Sequence, residues 1–236
     1  MAASIHLQPT APLAPRVLLP GDPGRALLIA QAVLTEPKMF NHNRGLWGYT
    51  GTAADGEPLT VQSTGMGGPS AAIVISELCD LGARTLLRTG TCGGLHPTLG
   101  LGQVLVVTEA IVDDGTSRAL GAEGHVGADA GLVARLTEAA GGQPPSGPVV
   151  STDLFYDAPD GTERRWIADG ALAVEMEAAT LFMLAVRRGV RAGALLIVTD
   201  TLVPERRRIA PEPLRAAEVR LGEVAAAALR PLGDGG

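Results

Sequence analysis

The chain has 236 residues, of which 46% are hydrophobic and 19% charged, and its net charge is −6. That length and composition can bury a core without disulfide or metal staples, and they exclude a disordered chain. The negative charge argues against general nucleic-acid binding, and no apolar run reaches the roughly 18 residues of a membrane span.

Met1 to Pro15 has neither the basic start nor the apolar stretch of a signal peptide. With Cys79 and Cys92 the only cysteines, a reducing cytoplasm is the expected compartment. Arg16 to Leu19 reads as a short strand that stops at Pro20-Gly21. Asp22 then caps a helix with Pro23 at its first position, running to about Val33. Trp47–Thr52 and Leu59–Thr64 read as strands joined through Asp55-Gly56. Gly67-Gly68-Pro69 opens a helix over Ser70–Leu81. Thr85–Arg88 is predicted as a strand that ends in a glycine-rich loop, Gly90–Gly94. A strand at Gln103–Thr108 and a helix at Leu132–Ala140 follow, and Gly141–Pro148 reads as a surface loop.

Val149–Ser151 is a buried strand end, Thr162–Ala168 a helix and Leu172–Val174 a strand. A helix is expected over Ala178–Arg188, ending near Gly189. Ala194–Val198 is an apolar strand, and Pro211–Leu229 a closing amphipathic helix. This alternation predicts an α/β fold: one domain over residues 1–236, with a mixed, mostly parallel sheet flanked by helices on both faces. Aromatics are only 3%, so the core must be aliphatic.

Four segments carry residues suited to chemistry. Gly21-Asp22-Pro23-Gly24-Arg25 places a capped helix start and an arginine where an anion is favoured, or is an ordinary cap with a solvent arginine. Arg88-Thr89-Gly90-Thr91 sits at the C-terminal edge of a strand, where open parallel sheets bind ligands. Arg88 can grip two phosphate oxygens, Gly90 lets the backbone approach and Thr91 offers a hydroxyl, the alternative being a tight turn with a structural arginine. Cys92 reads as a small packed thiol. Glu175-Met176-Glu177 places two acids inside an apolar segment, where a carboxylate needs a partner or ligand. Alternatively both begin a helix and face water. Thr199-Asp200 ends a buried strand with an acid, placed as a general acid or as a loop cap. No His/Cys/Asp cluster has metal-ligand spacing, and Arg206-Arg207-Arg208 reads as a solvated charge run.

Taken together these segments resemble the nucleoside phosphorylase family, which contains the hexameric bacterial purine nucleoside phosphorylases and the uridine phosphorylases. The resemblance runs from about Val17 to Ile197. It rests on L-L-P-G-D-P-G-R at Leu18–Arg25, N-R-G-L-W-G-Y-T-G at Asn43–Gly51, T-G-M-G-G-P-S at Thr64–Ser70, L-R-T-G-T-C-G-G at Leu87–Gly94, S-T-D-L-F-Y at Ser151–Tyr156 and V-E-M-E-A-A at Val174–Ala179.

The resemblance implies phosphorolysis of purine (2′-deoxy)ribonucleosides, with uridine phosphorolysis or a water-using nucleosidase as alternatives. It implies no cofactor, with inorganic phosphate as co-substrate, and a hexamer built of dimers that share their sites. Gly21, Arg25, Arg88, Gly90 and Thr91 would bind phosphate. Arg44 would reach the neighbouring subunit's phosphate, and His6 its ribose 5′-hydroxyl. Glu177 would hold the ribose hydroxyls with Met176 beneath the sugar, while Glu175, Phe155 and Thr199 would border the nucleoside. Asp200 would protonate the leaving base, partnered by an arginine of the last helix, for which Arg215 is the nearest candidate and the Arg206-Arg207-Arg208 run a substitute.

Overall fold

A computed structural model describes residues 4–230. The two ends of the expected 1–236 domain, residues 1–3 and 231–236, lie outside the described residues. Strand β1 (Arg16–Leu19) is buried throughout and runs into helix α1 (Pro23–Val33). Asp22 caps that helix, its Oδ1 accepting the Arg25 N–H at 2.7 Å, and Pro23 supplies a preset φ in the first turn. Strands β2 (Thr35–Asn41), β3 (Gly48–Thr52) and β4 (Pro58–Gln62) form an antiparallel meander. Helix α2 (Gly68–Leu81) ends at Gly82, whose φ of 112° only glycine adopts freely.

Strands β5 (Thr85–Gly94) and β6 (Val104–Asp113) follow, then a short helix α3 (Gly115–Ala119), β7 (His125–Gly127) and α4 (Ala130–Ala139). The second half runs β8 (Ser146–Thr152), α5 (Thr162–Ala168), β9 (Ala173–Glu175) and α6 (Ala178–Arg188). It closes with β10 (Arg191–Thr201), β11 (Arg207–Arg208) and α7 (Pro211–Ala228).

The strands make one mixed sheet in the order β11-β10-β6-β8-β9-β5-β1-β4-β3-β2, with β7 on β6. Its centre is parallel: β4, β1, β5 and β10 run side by side in one direction. β5 also pairs β10 along its whole length while its last two residues pair β9, so five strands close on themselves.

Alternate side chains of the central strands feed two cores. Val17, Leu19, Leu86 and Leu196 pack on one face with Val74 and Leu78 of α2 and Leu181 and Phe182 of α6. Leu18, Leu87, Leu195 and Ile197 pack on the other with Ile29 of α1, Leu132 of α4 and Leu221 of α7. This is the α/β fold with helices on both faces that the alternation predicts. Among the described residues, no helix is long and apolar enough to cross a membrane.

Several elements differ from the sequence reading. α3, β7 and β11 have no counterpart in it, β6 runs on past Thr108 to Asp113, and the end of the expected Gly141–Pro148 loop belongs to β8, because Ser146 and Gly147 pair Val106 and Val107 of β6. The expected loop Gly90–Gly94 is the second half of β5, because β10 pairs it residue by residue and leaves no room for a loop. β2 is an extra strand; Pro37 and Lys38 mask it, and its first five residues are exposed. β10 extends to Thr201, so Asp200 lies inside the strand instead of just beyond it.

At the opposite end of the sheet Arg16 fastens the β3–β4 turn to the end of α7. Its guanidinium donates to both Asp55 oxygens at 2.6 Å and to the carbonyls of Pro58, Glu57 and Leu229 at 2.8–2.9 Å. Replacing Arg16 by alanine leaves Asp55 and three carbonyls without that partner. The expected loss is on the order of 3 kcal/mol, which a thermal melt reads as roughly 6–12 °C in Tm. The Arg16 hydrogen bonds hold Asp55 below its ordinary value. The pair therefore contributes fully above the unfolded carboxylate value, about pH 4, and loses that contribution as pH falls through the lower folded value. The gap between wild type and R16A should narrow in that acid range.

Candidate active site

The C-terminal ends of β1, β5, β8, β9 and β10 open into one cavity of about 480 Å³. This is the edge where parallel strands and helix starts present free polar groups. Gly21, Arg25, Arg88, Thr91, Phe155, Met176, Glu177, Thr199 and Asp200 all line it. These residues lie on six different elements and loops, and the fold brings them to one cavity.

The two arginines are pinned through their Nε atoms. Arg25 Nε donates to Glu218 Oε1 of α7 at 2.8 Å, and Arg88 Nε donates to Glu175 Oε2 at 2.8 Å. Their terminal nitrogens are thereby turned toward the cavity. Arg88 Nη1 lies near Gly21, about where a side chain on that residue would stand, at 4.0 Å from its ideal Cβ. Gly90 is behind this arginine and does not line the cavity; a Cβ there would stand 2.7 Å from the Arg88 guanidinium. Its absent side chain makes room for Arg88.

Both acids of the Glu175-Met176-Glu177 motif are buried, and they do different work. Glu175 accepts from Arg88, from the Ser151 hydroxyl at 2.5 Å, and from the N–H groups of Glu177 and Ala178 at 2.9–3.0 Å. Its carboxylate is saturated by protein donors, so it orders the site more than it offers itself to a base. Glu177 accepts the Gly67 N–H on Oε1, and its Oε2 is 2.5 Å from Arg88 Nη2. Burial pushes Glu177 above the ordinary carboxylate range despite the attraction of Arg88. Burial works against the Arg88 charge, but the two glutamates outweigh it and hold its pKa up.

Asp200 is a further acid of the cavity. β10 shifts register against β5 between Val198 and Asp200, so Thr199 is an extra residue there. Such irregularities re-aim a side chain at a site. Asp200 Oδ2 accepts the Thr199 hydroxyl at 2.9 Å, and Oδ1 lies 3.9 Å from Arg208 Nη1 of β11. Arg215, the expected partner, is exposed on α7 and does not line the cavity. The arginine run is exposed, as a solvated stretch is, and within it Arg208 comes within 3.9 Å of Asp200, while Arg206 lines the cavity and lies 3.3 Å from Glu163.

His6 and Arg44 stand outside this chain's cavity. His6 Nδ1 is 2.7 Å from Glu77 Oε1 of α2, and the same carboxylate accepts the backbone N–H groups of Ile5, His6 and Leu7. Asn43 donates to the His6 carbonyl at 3.0 Å, so the turn carrying the exposed Arg44 is tied to the His6 segment. Both residues share one surface patch.

Cys92 borders the cavity, yet burial pushes its thiol far above the ordinary range, which makes it a poor nucleophile and fits a packed cysteine. Among the described residues no group of three or more His, Cys, Asp or Glu is placed to hold a metal ion. The sequence reading missed Glu218, which lies 193 residues from Arg25 in the chain. It also passed over Ser151, although that residue sits within a quoted motif. No local pattern marks either one.

A profile of the phosphorylase superfamily matches residues 15–230. A DeoD-type purine nucleoside phosphorylase of Caldanaerobacter subterraneus subsp. tengcongensis is 38% identical over 207 residues, covering 85% of this chain and 89% of that protein. A DeoD-type purine nucleoside phosphorylase of Geobacillus kaustophilus is 36% identical over 217 residues, covering 85% and 87%. A guanosine phosphorylase of Halorubrum lacusprofundi is 40% identical over 190 residues, covering 79% and 78%.

The space behind Arg88 gives a direct test. Gly90→Ala should displace the guanidinium without removing it. Affinity for inorganic phosphate, measured by equilibrium dialysis, should fall about tenfold, the cost of one misplaced charge-assisted contact.

Proposed function

The chain belongs to the phosphorylase superfamily, and on that premise we propose that it cleaves purine nucleosides with inorganic phosphate, releasing the free base and (deoxy)ribose 1-phosphate. The observation that carries this reading is the arrangement within one cavity. Gly21, Arg25 and Arg88, the arginines held through Nε by Glu218 and Glu175, share its wall with Glu177 and Asp200. Its curated relatives carry the matching names.

Phosphate is held by the terminal nitrogens of Arg25 and Arg88 and by the Thr91 hydroxyl. No cofactor is required. Glu177, already fixed by Gly67 and Arg88, accepts from the ribose hydroxyls, and Met176 lies beneath the sugar. As the glycosidic bond breaks, the sugar gains oxocarbenium character. The bound phosphate dianion stabilises that charge and then attacks it. Asp200 acts as the general acid toward the departing base. The Thr199 hydroxyl orients the carboxyl group through Oδ2.

The site is completed by a second copy of the chain. His6 and Arg44 share a patch away from their own cavity, and their neighbours Ile5, Trp47 and Ile73 are exposed apolar residues. A symmetric dimer covers such a patch and lends both residues reciprocally. Three dimers then give the hexamer of the resembling family. One domain over residues 1–236 and a cytoplasmic location complete the proposal; Cys79 and Cys92 are unpaired thiols, which suits a reducing compartment.

Two measurements test these roles. Asp200→Asn should bind nucleoside normally yet lose about 10² to 10⁴-fold in rate on inosine. A 7-methylpurine nucleoside, whose base leaves without protonation, should be nearly unaffected. Equal losses on both would remove the proton donor from the mechanism. For the shared site, Arg44→Ala and Asp200→Asn chains are each expected to be nearly inactive. Mixed under subunit exchange, they should regain activity, because one site of each mixed dimer carries neither change. Mixed oligomers that stay inactive would place Arg44 in its own subunit's site.

A further inference from the structure

The cavity has a wall that the chemistry above does not use. Trp166 of α5 is 4% exposed and lines the cavity together with Leu202, Val174 and Thr152, as Asp200 does. Its far side borders a second, polar cleft of about 430 Å³ that holds Asp113, Arg118 and Arg165. Trp166 is thus a partition between two cavities. Leu95, Ile111, Val150 and Ala171 pack around it, with Val174 and Leu202 at the margin.

The indole is held by a specific contact. Trp166 Nε1–H donates to Asp113 Oδ2 at 2.6 Å. Asp113 ends β6, and its carboxylate also accepts from Arg165 at 2.7 Å and from Arg118 at 2.9 Å. Two exposed arginines from different helices therefore clamp the acceptor that fixes the indole. Since the only polar atom of the side chain is bonded to Asp113, the surface that Trp166 offers to the first cavity is hydrocarbon and π-face. A planar heteroaromatic ring is the ligand group such a surface favours.

Resting on the reading of the cavity as a nucleoside site, we infer that Trp166 is a contact wall for the purine base and that Asp113 is the residue that positions it. Trp166 contributes binding that is equal before and during bond cleavage, because it touches neither the glycosidic bond nor the phosphate. Its loss should therefore raise KM for nucleoside and leave kcat in place. Asp113 acts through the indole alone.

The experiment uses the full-length protein with inosine, inorganic phosphate and ribose 1-phosphate. Trp166→Phe keeps an aromatic ring but loses part of the indole face and its tie to Asp113, so KM for inosine should rise roughly three- to fivefold, part of the scale of one base–aromatic contact. KM for phosphate and the dissociation constant of ribose 1-phosphate, which has no base, should stay within twofold. Asp113→Ala should move the same parameter in the same direction. Asp113→Asn, whose side-chain oxygen still accepts from the indole, should restore most of the wild-type value.

Fluorescence supplies a second readout, since Trp47 and Trp166 are the only tryptophans. Inosine without phosphate should alter the emission of the wild type and of Trp47→Phe, and not that of Trp166→Phe. Unchanged KM for inosine in Trp166→Phe, a parallel rise in KM for phosphate, or an emission change that survives in Trp166→Phe would each overturn the inference. A wild type that binds inosine with the emission change but releases no base would overturn the phosphorylase reading and leave the wall standing.

Discussion

Glu175 draws donors from three parts of the fold onto two oxygens: the Arg88 guanidinium from β5, the Ser151 hydroxyl from β8, and the N–H groups that open α6. Each of those contacts fixes something else. Arg88 is turned so that its Nη atoms face Gly21 and Glu177. Ser151 in turn accepts the Ala179 N–H at 2.9 Å, which anchors the first turn of α6. The start of α6 then sets where Glu177 and Met176 stand. A carboxylate buried this deeply is tolerable only when its lone pairs are filled. The same saturation makes the surrounding geometry hard to deform, because any shift leaves a donor or an oxygen unpaired.

The cavity holds its cations in compensated form. Arg25 is paired with Glu218, and Arg88 with Glu175 and Glu177. Unpaired guanidinium groups in so enclosed a place would repel one another and resist burial. Pairing through Nε solves this and leaves the terminal nitrogens on the cavity side, where Arg88 Nη2 also meets Glu177. It also explains why one motif carries two glutamates. One is closed inside the protein as counter-ion and anchor, and the other remains at the cavity surface.

Much of this was legible in the chain, for identifiable reasons. The alternation of short apolar runs with capped helices gave the layered α/β order, and Asp22-Pro23 marked the start of α1 to the residue. The strand-edge position of Arg88 and the burial implied by an apolar surround around Glu175 and Glu177 pointed to the cavity. Glycine misled at Gly90–Gly94, since five residues that look like a loop form a strand. There the absent side chains serve packing: Leu202 and Val174 stand where a Gly93 side chain would be. Glu218 and Ser151 could not be found from local pattern, because their roles arise only when distant segments meet. The arginine run was legible as a candidate partner of Asp200, but not which member of it, since three consecutive arginines look alike until β11 pairs with β10 and sets Arg208 opposite Asp200.

Arg44 sits in the left-handed region, with φ 57° and ψ 20°. Glycine or asparagine relaxes that backbone, whereas an arginine there is held against a preference of about 1–2 kcal/mol. The residues that suit the turn and the residues that carry a guanidinium are therefore two sets with no member in common. Any random change at this codon toward glycine is favoured by the backbone, so folding stability alone offers no reason for arginine to persist. At position 44 the preference of the backbone and the charge that the proposed shared site requires pull in opposite directions.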